Sequence, residues 1–155
     1  MPRHAETKVL PYSATQMYDL VADVASYPKF LPWTAAARIR SRQPLAEHAD
    51  PLAEVMVADL VISFKLFRER FGSRVTLLPT QGQILTQYLN GPLRNLQSVW
   101  QFAQGQNGPT SCKVTFDVDF EFRNPILGGV IGLVFGEAMT RVVRAFETRA
   151  KALYG

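Results

Sequence analysis

The chain has 155 residues, 47% apolar and 19% charged, a composition that excludes intrinsic disorder and fits a single domain burying roughly 70% of its unfolded surface. Seventeen Lys and Arg against thirteen Asp and Glu leave a net charge of +4, compatible with an anionic membrane surface or RNA and equally with plain solvation. The single cysteine, Cys112, excludes an intrachain disulfide and a thiolate metal cluster, which suits a reducing, cytoplasmic setting.

The segment from Met1 to Tyr12 lacks the apolar core of a secretory signal and the Arg-rich run of a transit peptide, so folded structure is expected to begin almost at once. Ala5, Thr7 and Val9 alternate with Glu6, Lys8 and Leu10, predicting a first strand that ends at Pro11. A helix follows. Ser13 and Gln16 have capping-box spacing, Tyr12 and Met17 hold the staple positions, and Met17, Leu20, Val21 and Val24 share one face. Pro28 and Pro32 then disfavour a long helix over 27–33, predicting a short turn-rich segment at the edge of an opening, with Tyr27, Phe30 and Trp33 as its aromatics.

From Ala36 to Phe122 the pattern is of strands, Val55 to Leu66, Phe67 to Leu78, Gln83 to Asn90, Leu96 to Ala103 and Cys112 to Phe122, with turn signals at 79–82 and 106–109. Sequence neighbours are expected to pair antiparallel. The last strand is the clearest: Val114, Phe116, Val118, Phe120 and Phe122 occupy one face, Thr115, Asp117, Asp119 and Glu121 the other. A change of phase between Leu66 and Phe71 predicts a turn or bulge. Asn124 can cap and Pro125 open a final helix reaching Tyr154, about 45 Å long. Its second half carries Met139, Val142, Val143, Phe146, Ala150 and Leu153 on one stripe, with Glu137, Arg141, Arg144, Thr148 and Lys151 opposite. Its first half is apolar nearly all round and is broken by Gly128, Gly129, Gly132 and Gly136, each costing roughly 1 kcal/mol relative to Ala. The apolar run 125–136 would span about 18 Å as a helix, too short for a hydrocarbon core of ~30 Å.

Catalytic signals are sparse. His4 and His48 lack metal-ligand spacing, and no G-x-S-x-G, Walker or dinucleotide motif occurs, so neither a metal site nor an enzymatic activity is expected. Asp117, Asp119 and Glu121 share a strand face and read as a solvated outer surface. Cys112 falls in with the apolar stripe and reads as a buried structural thiol. Arg68, Arg70 and Arg74 share a strand parity, and Arg141 and Arg144 lie on the final helix; without an aromatic stacking platform these are a weak RNA signal, and no DNA partner is expected.

The order strand, short helices, antiparallel strands and long C-terminal helix is similar to the helix-grip arrangement of the START-like, polyketide cyclase-like superfamily. The words YSATQMYDLV at 12–21, YPKFLPW at 27–33, GPLRNL at 91–96, FEF at 120–122, AFETRA at 145–150 and the terminal LYG resemble its coenzyme Q-binding branch, which also contains the RatA-type ribosome-association toxins. Thr34 and Ala37 stand where that branch often has Cys and Ser, and Leu93 where it often has Phe. The resemblance implies an α+β helix-grip fold, a curved antiparallel sheet around the final helix with two short helices after the first strand. It also implies a cavity between sheet and helix for a long apolar molecule such as ubiquinone, held as a ligand and not as a catalytic cofactor.

Candidate residues for the mouth are Phe30, Leu31, Trp33, Tyr88, Leu93 and Arg94, with Arg94 or Tyr88 meeting a polar head group. Those for the cavity walls are Phe64, Phe67, Trp100, Phe102, Phe116 and Phe120 on strands and Val130, Val134 and Met139 on the helix. Glycines at 128, 129, 132 and 136 are expected either to widen the cavity, to admit close strand packing, or to leave the helix start frayed. The implied function is chaperoning or transfer of the quinone in support of respiratory electron transport, with peripheral contact at the inner membrane. A ribosomal-subunit-binding inhibitor of subunit association and a polyketide cyclase-like enzyme are the alternatives.

Overall fold

The computed structural model describes residues 3–45, 49–64, 67–105 and 108–155, and within these not the side chains of Phe64, Phe67, Leu127, Val130, Ile131 and Val134. Its elements are β1 (Arg3–Leu10), α1 (Ala14–Ala22), a 3₁₀ helix (Val24–Lys29), β2 (Thr34–Pro44), β3 (Glu54–Phe64), β4 (Phe67–Leu78), β5 (Gln83–Asn90), β6 (Leu93–Gly105), β7 (Gly108–Phe122) and α2 (Pro125–Tyr154). His48, Leu66 and residues 106–107 of the turn expected at 106–109 lie outside the described residues, while Gly108 and Pro109 already belong to β7.

All seven strands form one antiparallel sheet in the order β1-β7-β6-β5-β4-β3-β2. The first two strands of the chain are therefore its two edges, and α1 with the 3₁₀ helix must cross from one edge to the other. That crossing places the aromatic-proline segment over the concave side of the sheet. α1 starts where the sequence predicts: Ser13 Oγ accepts from the Gln16 N–H and Gln16 Oε1 from the Ser13 N–H, each at 3.0 Å. Met17, Leu20 and Val21 are buried beneath it.

β7 alternates as expected, with Val114, Phe116, Val118 and Phe120 buried. β3 and β4 meet at the register pair Phe64 and Phe67 and stay in register through Phe71, so the change of phase marks the passage from one strand to the next. The register shift lies further on, between Gly72 and Ser73 against β5. β2, which sequence alternation does not delimit, is mostly exposed and is broken by two register shifts against β3. On β1 it is Glu6 and Lys8 that turn inward, because Lys8 reaches Glu147 of α2 and Glu6 meets His4 at 2.9 Å.

In α2, Asn124 Oδ1 accepts from the Ile126 N–H at 2.9 Å, the expected cap. Val143, Phe146 and Ala150 are buried against the sheet and α1. Leu153 does not join that stripe and is 51% exposed. In the last turn Tyr154 packs instead, its ring 6.1 Å from Tyr12 and its hydroxyl donating to the Gln16 carbonyl at 3.2 Å. Since the capping box satisfies two otherwise orphaned N–H groups, Ser13→Ala should destabilise the protein by about 1 kcal/mol, read as a lower denaturant midpoint at unchanged slope.

Candidate functional site: an apolar cavity under the C-terminal helix

Among the described residues two aromatic contacts join α2 to the sheet, besides the ion pair of Glu147 with Lys8 of β1. Near its start Phe135 lies 4.5 Å from Phe120 of β7, centroid to centroid, and further along Phe146 lies 5.2 Å from Trp100 of β6. Eleven residues separate the two supports, about 16 Å at the helical rise. Between them the helix presents Ala138, Met139 and Val142, which do not fill the gap, and a cavity of about 490 Å³ remains. Such a volume lies within the usual range for small-ligand sites, roughly 300–1,000 Å³.

Inward residues of β3 to β7 make the floor, among them Leu60, Ile62, Phe71, Leu96, Trp100, Phe116, Val118 and Phe120. Tyr27, Leu31, Pro32, Trp33 and Thr34 close one side. Tyr27 is the anchor of that wall. Its hydroxyl donates to the Val21 carbonyl, its ring stands edge-on to Phe30 and Phe146, and burial pushes its phenol well above the ordinary range. Trp33 has φ of +62°, the left-handed region that a bulky residue rarely enters, while its carbonyl accepts from the Ser63 N–H at 2.8 Å. Backbone strain of this kind costs on the order of 1–3 kcal/mol and gathers at functional sites. Glu137 and Arg141, paired at 3.0 Å, are the exposed lining residues, so the cavity reaches solvent beside them.

Of the residues singled out from the sequence, Leu31, Trp33, Leu93, Trp100, Phe116, Phe120 and Met139 line this space. Four do not. Phe30 packs outside it between Tyr27 and Phe146, with the Arg149 guanidinium 5.4 Å above its ring. Phe102 is buried in the core under α1, 5.8 Å from Tyr18. Tyr88 uses its hydroxyl to accept from the Leu93 N–H at 2.9 Å, bracing the β5–β6 turn at Gly91, where φ is +139°. Arg94 sits at the register shift that opens β6 and turns outward to Glu121 at 3.7 Å. The side chains of Phe64, Phe67, Val130 and Val134 lie outside those described. Glu137 and Arg141, assigned by spacing to the solvent face, border the cavity because the helix is lifted off the sheet there.

Three of the four glycines do not set the width. Gly129 and Gly136 are exposed and an added Cβ would meet nothing within 4 Å, while at Gly128 it would make ordinary contact with Phe122 at 3.4 Å. Sequence reasoning passed over Ser73, Thr86 and Ser98, three hydroxyl residues in the floor. Their parity is legible: Thr86 is two residues from Ile84, which is buried in the core. Among the described residues no group of three His, Cys, Asp or Glu stands close enough to hold a metal ion.

A family model described as polyketide cyclase/dehydrase and lipid transport matches residues 10–147. The chain belongs to that family. Within it, the chain falls in the branch of RatA and COQ10 proteins. It is 37% identical over 147 residues to the ribosome association toxin RatA of Pseudomonas aeruginosa, covering 95% of this chain and 94% of that one. It is 34% identical to the mitochondrial coenzyme Q-binding protein COQ10 homolog B of Xenopus laevis, covering 98% of this chain but 59% of that protein. The solution structure of the 18 kDa Caulobacter crescentus protein CC1736 superposes with a TM-score of 0.78 at 31% identity, over 100% of this chain and 99% of that one. A START superfamily protein of Mycobacterium smegmatis, at 22% identity, shares the fold with a TM-score of 0.78 over 97% and 98% of the two chains.

Cys112 is fully buried on β7 and burial pushes its thiol up. It should resist thiol reagents in the native protein at neutral pH and react only at the rate of unfolding, as followed by mass spectrometry of labelled chains.

Proposed function

We propose that this chain binds a single hydrophobic ligand in the cavity and passes it between membranes or proteins, a polyisoprenoid quinone of the ubiquinone type being the class that fits best. The observation that carries this reading is the 490 Å³ apolar space held open under α2. The coenzyme Q-binding relative supports the choice of quinone. A cavity of this size accommodates a ring and the first part of a tail, leaving the rest to run out beside Glu137 and Arg141. Each buried CH₂ is worth about 0.8 kcal/mol relative to water, but a tail leaving a bilayer was already in hydrocarbon, so the exchange nearly balances and is reversible. No bond is made or broken in this scheme.

Peripheral membrane contact has its own support. Ile126 and Leu133 on the first half of α2 are 80% and 88% exposed, and no described helix is long and apolar enough to cross a membrane. Docking through that half of the helix would bring the cavity opening to the lipid surface. Met139→Trp fills the space between the two aromatic supports. It should leave the fold intact by circular dichroism and lower saturable uptake of ubiquinone from vesicles by about tenfold or more, equivalent to ~1.4 kcal/mol. Uptake unchanged in that variant, or none by the parent protein, would count against a ligand in the cavity.

A second reading, ribosome association, is favoured by the convex side of the sheet. Arg38 of β2 and Arg68, Arg70 and Arg74 of β4 pair in register with Asp59, Ser63, Val61 and Val57, all on the outward parity of β3. Arg40 joins them, and among the described residues Asp59 is their one acidic partner, 3.7 Å from Arg40 and 4.0 Å from Arg70. Five exposed guanidiniums on one face suit RNA phosphates, and RatA relatives carry ribosome association in their names. If this face binds ribosomal RNA, the triple variant Arg38→Ala, Arg40→Ala, Arg70→Ala should lose cosedimentation with ribosomal subunits at moderate salt. Its log-log salt slope should flatten by about 0.7–0.9 per contact removed.

A further inference from the structure

The floor of the cavity carries one polar island. Ser73 of β4, Thr86 of β5 and Ser98 of β6 all line it, and the sheet register makes them neighbours: Thr86 is directly opposite Ser98, while Ser73 lies two residues from Val75, the partner of Thr86. Around them stand Leu60, Leu96, Val118 and Phe120. Ser73 is only 7% exposed. None of the three hydroxyls has a hydrogen-bond partner among the described residues. This is unlike the other polar groups of the site, since Thr34 donates to the Pro32 carbonyl at 3.4 Å and Tyr27 to that of Val21. A hydroxyl in apolar surroundings without a partner is costly, and replacing all three by apolar side chains of similar shape would be the stabilising choice for a cavity that served bulk hydrocarbon alone.

We propose that Ser73, Thr86 and Ser98 form a recognition site for the clustered acceptor oxygens of a ring head group, the carbonyl and ether oxygens of a quinone, so that the oxygen-bearing edge of the ring faces the sheet and its tail runs along the apolar wall. The proposal rests on the carrier reading and adds to it which end of the ligand is read and by which residues. Each hydroxyl donates one O–H to a ligand oxygen. Because a quinone carries its oxygens in the ring plane, three donors spread over adjacent strands, about 4.8 Å apart per strand, match a ring's width better than a point-like alcohol or a linear hydrocarbon. A carbonyl group is itself a pure acceptor, so the donors need not compete with one another.

The test compares a short-chain ubiquinone with squalene, a polyisoprenoid lacking oxygen, on the parent protein and on the variant Ser73→Ala, Thr86→Val, Ser98→Ala. The parent should prefer the quinone. The variant should lose about tenfold or more in quinone affinity while holding squalene as tightly as before. Its ligand-free melting temperature should stay level or rise by about 2–4 °C, which separates lost recognition from lost folding. Equal loss for both ligands, undiminished quinone binding in the variant, or a parent that does not distinguish the two ligands overturns the inference while leaving a carrier in place. A parent that binds neither ligand overturns the carrier reading and this inference with it.

Discussion

The site depends on two aromatic contacts that keep α2 from settling on the sheet, Phe135 on Phe120 and Phe146 on Trp100. Such pairs add about 0.5–1.5 kcal/mol beyond the area they bury. They also act as spacers, since rings at both ends of a span fix the height of the helix over everything between. The smaller Ala138 and Val142 then leave a gap that the backbone cannot close without separating a pair of rings. Lining atoms beside a gap give up dispersion contacts they would have in a filled core, so the space is kept at the expense of stability. The rest of the core offsets that cost: the end of the helix from Val143 to Ala150 is buried against β1, β7 and α1, and Trp100, Phe102 and Phe116 stack beneath it.

Sheet order supplies the side wall. Because β1 and β2 are the two edges, the chain between them has to traverse the concave side, and the prolines at 28 and 32 keep that crossing short and non-helical beyond Lys29. Tyr27 ties the crossing to α1 and to Phe146 together, so the wall and the second aromatic support share one residue. The left-handed Trp33 is the corner where the crossing turns into β2. Strain there is sustained because both sides of the corner are tied down, by Tyr27 before it and by the β2–β3 ladder after it.

Much of this is legible in the residues themselves, and the parts that are not share a cause. Periodicity read β7 and, Leu153 apart, the inward stripe of α2 because one face of each is buried and the other wet, and the Ser13 box announced α1 because capping is local chemistry. β2 escaped because Arg38, Arg40 and Arg42 alternate with little that is apolar and its register slips twice. Aromatic content led to Phe30 and Phe102, yet a ring is equally at home in solid core, and only the height of α2 decides which rings border empty space. Arg94 and Tyr88 were plausible head-group contacts by type, but a register shift turns one outward and a hairpin turn takes up the hydroxyl of the other. Glu137 and Arg141 reached the cavity edge for the converse reason: a helical wheel assigns a face to each residue without knowing how far the helix stands from its partner.

The alternation of the strands bears on how one fold serves relatives named for such different partners. Along β4 the side chains run outward at Arg70, inward at Phe71, inward again at Ser73 after the glycine at the register shift, and outward at Arg74. On β3 the outward Asp59 stands between Ala58, in the core, and Leu60, in the cavity floor. Cavity and arginine face are thus written on the same backbone in interleaved positions, with the period of two keeping them physically apart. Substitutions that reshape the cavity leave the convex charges where they are, and changes to the arginines leave the cavity lining as it is. An apolar cavity and a basic face can then be kept, lost or sharpened independently in different members of the family, which is why shared fold alone does not decide function.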